Sequence, residues 1–132
     1  YNVILEAIIL KPNMVTPGDK CSIRANIEKV ADFTVKCLKE TVPANVPGIA
    51  FLSGGQTDND STRHLNMMNF KYASNLDWRL TFSYGRALQQ SSLKEWSGKS
   101  INKNSAQKIL LERAKLNSLA SLGKCLEKIE EK

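Results

Sequence analysis

Three short segments carry residues whose types could do chemistry: an amine that could add to a carbonyl, and two glycine turns that could approach an anion. The first is Lys11, which follows eight residues, Val3 to Leu10, dominated by Ile, Leu, Val and Ala. A lysine on so apolar a strand, if it points into a barrel, is partly desolvated. Desolvation disfavours the ammonium form and exposes a neutral amine. Such an amine adds to a ketone and forms an imine, which then acts as an electron sink. A lysine at a strand end can equally keep its ammonium in water, and Lys11 alone does not separate the two. The second segment is Ser53-Gly54-Gly55 and the third is Gly85-Arg86. Glycines let backbone amides approach an anion closely, and the start of a following helix adds favourable partial charge. Ser53 offers a hydroxyl and Arg86 a forked cation. By itself, Ser-Gly-Gly is also an ordinary turn.

These segments need elements to position them. The run Val3–Leu10 lacks strict alternation, which fits a strand buried on both faces in a parallel sheet. Lys11-Pro12 ends it, because Pro12 has no backbone donor. Pro17-Gly18 marks a turn. A helix is predicted over Ile23–Thr41, with Ile27, Val30, Ala31, Thr34, Val35 and Leu38 at helical spacing. A second strand is predicted over Gly48–Leu52. The helix after it runs over Asn59–Phe70, with Asp58 or Asp60 as N-cap. A third strand covers Trp78–Ser83, followed by a helix over Ala87–Trp96. After the loop Ser97–Ser100, a long helix starts near Lys103, with Leu116, Leu119, Leu126 and Ile129 near one face and Gly123 weakening or ending it. Repeated strand–helix alternation argues for a parallel α/β sheet. Three strands cannot close a barrel, whereas eight close a (β/α)8 barrel. The expected architecture is therefore three βα units of a larger barrel. Active sites of such barrels form at the C-terminal strand ends, where Lys11, Ser53-Gly54-Gly55 and Gly85-Arg86 all fall. A chain opening directly on a strand-like run also suggests that elements precede it.

Composition narrows the classes further. The 132 residues are 42% hydrophobic and 24% charged, as in a soluble globular chain. Ala7–Leu10, the longest apolar stretch, is far too short to span a bilayer, and no secretory signal is evident. Cys21, Cys37 and Cys125 are widely spaced and read as buried or incidental thiols in a reducing compartment. The single histidine, His64, has no companion ligand cluster, so it reads as structural or surface and no metal site is expected. The net charge of +6 suits anionic partners in general. Nucleic acid is disfavoured, because no basic helix with interleaved aromatics is present.

The order of blocks is more specific than any one of them. Val3-Ile4-Leu5-Glu6-Ala7-Ile8-Ile9-Leu10-Lys11-Pro12-Asn13 resembles the Schiff-base lysine signature of class I fructose-bisphosphate aldolases, and Met14-Val15-Thr16-Pro17-Gly18 continues it. Thr41-Val42-Pro43, Phe51-Leu52-Ser53-Gly54-Gly55-Gln56, Leu65-Asn66, Leu80 to Gln89 and Asn117-Ser118-Leu119-Ala120 resemble further family blocks in the family's order. The resemblance covers nearly the whole chain. It implies that residues 1–132 form the C-terminal part of the aldolase barrel, strands six to eight plus a C-terminal helix. It implies Lys11 as the imine-forming lysine and Ser53, Gly54, Gly85 and Arg86 as the grip on a substrate phosphate, with Leu52, Ser83 and Tyr84 as secondary contacts. The implied reaction is reversible cleavage of fructose 1,6-bisphosphate to dihydroxyacetone phosphate and glyceraldehyde 3-phosphate in glycolysis. No cofactor is implied, since the protonated imine replaces a Lewis acid. A cytoplasmic enzyme, tetrameric at full length, is the corresponding expectation. Ala7 departs from the signature, which has glycine there. The first five strands, the acid/base carboxylates, a second active-site lysine and the family's C-terminal tail are also lacking, so the chain alone is expected to be inactive or nearly so. The alternative is a non-enzymatic module for phosphate compounds or acidic peptides, such as cytoskeletal or adhesin tails, with Arg24, Lys29, Arg86 and Lys99 contributing charge.

Overall fold

A computed structural model describes residues 1–125. Strands β1 (Ile9–Leu10), β2 (Gly48–Phe51) and β3 (Arg79–Phe82) form a parallel sheet in the order β1-β2-β3. Helix α1 (Ile27–Thr41) joins β1 to β2, and α2 (Asp58–Tyr72) joins β2 to β3. Helices α3 (Arg86–Trp96) and α4 (Lys103–Ala120) follow β3 and pack on each other. This arrangement fits three consecutive units of a (β/α)8 barrel plus an additional helix.

Successive strand residues point to opposite faces of a sheet. Ile49, Phe51 and Leu80 share one face and are buried against Val30, Ala31 and Val35 of α1 and Leu65 and Met68 of α2. Ala120 and Cys125 close this core beyond α4. The opposite face carries Ile9, Gly48, Ala50, Arg79 and Thr81 in two rows across the strands. These side chains are mostly small, which leaves room above the sheet.

Several boundaries differ from the sequence expectations, each for a local reason. The expected strand Val3–Leu10 is a 3-10 turn over Leu5–Ala7 followed by the two-residue β1. Among the described residues β1 has a ladder on its β2 side alone, and Val3, Ile4 and Ile9 are exposed rather than buried on both faces. Helix α1 begins at Ile27, not Ile23, because the Asn26 side chain accepts the Lys29 N–H at 2.8 Å and caps it. The α2 cap is Thr57 and not Asp58 or Asp60: its hydroxyl oxygen accepts the Asp60 N–H at 3.0 Å and donates to the Asp60 carboxylate at 2.8 Å. Asp58 and Asp60 lie instead in the first turn, where negative charge complements the helix dipole.

Helix α4 starts at Lys103, as expected, and ends at Ala120. Gly123 then adopts φ +67°, its N–H donates to the Ala120 carbonyl, and the Lys124 N–H donates to the Leu119 carbonyl. That pair of bonds is a Schellman closure with glycine at its left-handed position. Leu126 and Ile129, expected near the same helix face, lie outside the described residues. Cys125 is buried, whereas Cys21 and Cys37 are exposed. Among the described residues, no helix is long and apolar enough to cross a membrane.

Candidate active site

The parallel register decides which strand-end residues meet. Leu10 pairs with Ile49, and the ladder continues one step further, since the Leu52 N–H donates to the Pro12 carbonyl at 3.0 Å. On the other side, the Ser83 N–H donates to the Phe51 carbonyl at 2.8 Å. Lys11, Ala50 and Thr81 are therefore level across the sheet, on the face away from α1 and α2. Two residues beyond that row β2 and β3 have ended, and three residues beyond it Ser53 and Tyr84 open the segments Ser53-Gly54-Gly55 and Tyr84-Gly85-Arg86 at the same edge.

Lys11 is exposed in this structure, so the desolvation expected of it is not met by the described residues. An edge strand with a partner on one side has no second wall to exclude water from the amine. Leu52 is half-buried, Ser83 and Arg86 are exposed, and Ser53 is buried. Tyr84 is buried too, and its hydroxyl donates to the Ser61 carbonyl at 2.8 Å. Burial pushes that phenol up from its ordinary value, with Arg113 and the bond to Ser61 pulling it down.

Two devices turn backbone N–H groups outward along this edge. The Gly54-Gly55 turn is held from behind: the Ser53 carbonyl accepts the Gln56 N–H at 3.2 Å, and the Gly54 carbonyl accepts the Asn13 side-chain amide at 3.3 Å. In a trans peptide the carbonyl and the following N–H point in opposite directions. The Gly54 and Gly55 N–H groups therefore face away from both anchors. Gly55 holds φ +73°, a left-handed conformation that glycine adopts without steric cost. The second device is the start of α3. Gly85 is its N-cap, no side chain caps it, and a Cβ placed there would meet open space. The Arg86 and Ala87 N–H groups lie outside the helix's own ladder and carry the positive end of its dipole.

Behind the edge, Arg113 of α4 ties the two following helices together. Its Nη2 donates to the Asp58 carbonyl in the first turn of α2 and to the Thr62 hydroxyl, each at 2.7 Å, and its Nε donates to the Ala87 carbonyl in the first turn of α3 at 3.2 Å. Thr62 in turn donates to Asn117 at 2.7 Å.

Sequence reasoning gave no role to Asn13 or Gln56 and read His64 as structural or surface. His64 is buried, and its Nδ1 lies 2.8 Å from Gln56 Oε1, while Gln56 Nε2 donates to Asn13 Oδ1 at 3.4 Å. A usable signal was present, since Asn13 and Gln56 both sit next to the lysine and glycine segments in sequence.

A lysine, a glycine turn with outward amides and an uncapped helix start are aligned along the C-terminal edge of a parallel α/β sheet, the edge at which (β/α)8 barrels form their sites. Comparisons with known proteins give the family. The family model for class-I fructose-bisphosphate aldolase matches residues 1–132. A probable class 1 fructose-bisphosphate aldolase of Xanthomonas campestris is 58% identical over 93% of this chain, and fructose-bisphosphate aldolase B of Sparus aurata is 51% identical over 93%. A solved structure of Plasmodium falciparum fructose-bisphosphate aldolase, in complex with TRAP and a small-molecule inhibitor, superposes with a TM-score of 0.87 at 47% identity over 93% of the chain. The chain spans about a third of these relatives, 36%, 34% and 35% of their lengths. The chain belongs to the class-I fructose-bisphosphate aldolase family.

Proposed function

We propose that this chain supplies the electrophilic part of a fructose-bisphosphate aldolase site. Lys11 is the amine that condenses with the substrate ketone, and Ser53, Gly54, Gly85 and Arg86 hold the adjacent phosphate. Leu52, Ser83 and the Tyr84 backbone border that grip. The observation that carries this reading is the register, which sets Lys11 and both phosphate-type turns along one edge of the sheet.

In the proposed reaction the neutral Lys11 amine attacks the carbonyl carbon, a proton is taken up from a general acid or solvent and water leaves, giving a protonated imine. The imine draws in the electron pair released when the neighbouring carbon–carbon bond breaks, so the carbanion is stabilised as an enamine. Lys11 is exposed among the described residues, so residues beyond these must desolvate the amine for fast attack at neutral pH. General acid–base steps typically contribute about 10²–10⁴-fold. Those groups are expected outside the chain, and the isolated chain is therefore expected to lack full turnover.

The test is to incubate the chain with dihydroxyacetone phosphate, reduce with borohydride and locate the adduct by mass spectrometry. An adduct on Lys11 that disappears in Lys11→Met supports the reading. A folded sample that yields no adduct, or one spread over surface lysines, refutes it for this chain. Full aldol-cleavage turnover by the chain alone would refute the division of labour.

A further inference from the structure

The hydrogen bonds behind the glycine turn form a chain with a fixed direction. Its one end is a backbone carbonyl, Gly54 O, which can accept and never donate. Asn13 must therefore present its NH2 to Gly54, at 3.3 Å, and turn its Oδ1 the other way. That oxygen also accepts the Met14 N–H at 2.9 Å, which fixes the same orientation independently. Gln56 must then donate through Nε2 to Asn13 and present Oε1 to His64. An amide oxygen only accepts, so His64 must carry its proton on Nδ1. Every donor and acceptor follows from one carbonyl. His64 itself comes from the second turn of α2 and is buried.

We infer that Asn13, Gln56 and His64 act as a positioning relay, through which α2 sets the orientation of the Gly54–Gly55 peptide and aims the turn's N–H groups at the bound phosphate. This rests on the lysine–phosphate reading above and adds three residues that touch no reacting atom. Asn13 also follows Lys11-Pro12 directly, so the relay fixes the phosphate turn relative to the lysine strand as well as to α2. Removing Asn13 leaves Gly54 O without its donor, and removing Gln56 or His64 breaks the tie between Asn13 and α2, so the turn is no longer positioned by that helix. The loss should fall on phosphate-dependent binding and spare the imine step at saturation.

The test uses the full chain and dihydroxyacetone phosphate, with borohydride trapping on Lys11 followed against ligand concentration. His64→Leu fills the space without a donor, Gln56→Met keeps length without polarity, and His64→Asn places an amide nitrogen near the position of Nδ1. The loss of one oriented hydrogen bond corresponds to a half-saturating concentration raised about five-fold in His64→Leu and in Gln56→Met. The adduct yield at saturation should match the unmutated chain. His64→Asn should return the half-saturating concentration to within about two-fold of the starting value. Because the links act in series, the double variant His64→Leu/Gln56→Met should be no weaker than the weaker single. Should His64→Leu fail to fold, judged by Trp fluorescence, Gln56→Met at its half-buried position carries the same comparison. Unchanged half-saturation in a folded variant, or independent multiplication of the two losses, overturns the relay while leaving the lysine–phosphate reading intact. No Lys11 adduct in the unmutated chain overturns that reading, and the relay with it.

Discussion

Lowering the pH should unfold this chain largely through one histidine. Burial pulls the His64 imidazole from its ordinary 6.5 down to about 4, with Asp60 opposing that shift and Arg63 adding to it. In the unfolded chain His64 regains its ordinary value, so between pH 6.5 and 4 the unfolded state binds more protons than the folded one. Stability is therefore full above that window and falls as pH drops through it. The difference corresponds to about 3 kcal/mol in total, of which about 2 kcal/mol is lost by pH 5. Urea titrations at pH 7.5, 6, 5 and 4.5, followed by fluorescence, measure it directly. Trp78 is a suitable reporter, since it is buried with its indole N–H on the Pro43 carbonyl at 2.9 Å. His64→Leu is the control and should be nearly flat over the same range. Glu6 and Asp32 are also held below the ordinary carboxylate range, Glu6 by Asn45 and Asp32 by Lys71 and Tyr72. Their contributions are lost at lower pH and are common to both chains, so the difference between the two isolates His64. Equal pH slopes in the two proteins would refute the reasoning, because no other difference in titration separates them.

Three further outcomes follow from the packing. Gly123→Ala should destabilise by at least about 2 kcal/mol in urea unfolding, since a Cβ there would sit 2.7 Å from the Phe70 backbone nitrogen at a φ of +67°. Arg113→Met should cost about 2–4 kcal/mol by the same assay, because it removes charge-assisted donors to the Asp58 carbonyl and the Thr62 hydroxyl and a third to Ala87. A thiol reagent should label Cys21 and Cys37 rapidly in the native chain and reach Cys125 only on unfolding, as peptide mapping after timed labelling would show.

The alternation of elements was legible in the sequence because it is written in local terms. The Lys11-Pro12 stop, the Pro47-Gly48 and Ser53-Gly54-Gly55 breaks and the 3.6-residue spacing of Val30, Ala31, Thr34, Val35 and Leu38 each act over a few residues, and the observed elements follow them. Helix starts were read less well. Thr57 and Asn26 win their caps through single hydrogen bonds of 3.0 and 2.8 Å, and neighbouring polar residues compete for the same role on sequence grounds alone.

The amino-acid sequence by itself determined the family, the parallel α/β plan and the identity of the residues offered at the strand ends, because these rest on residue types and short-range spacing. The tertiary structure alone decided how those residues stand to one another. Whether Lys11 is dry depends on a second wall that β1 does not have among the described residues. The row of Lys11, Ala50 and Thr81 depends on a register set between strands about 30 to 40 positions apart in sequence. The direction of the Gly54 carbonyl depends on Asn13, 41 positions earlier, and through Gln56 on His64. Hydrogen bonds and burial between distant segments leave no periodic trace along a chain, so they become visible only once the chain has folded.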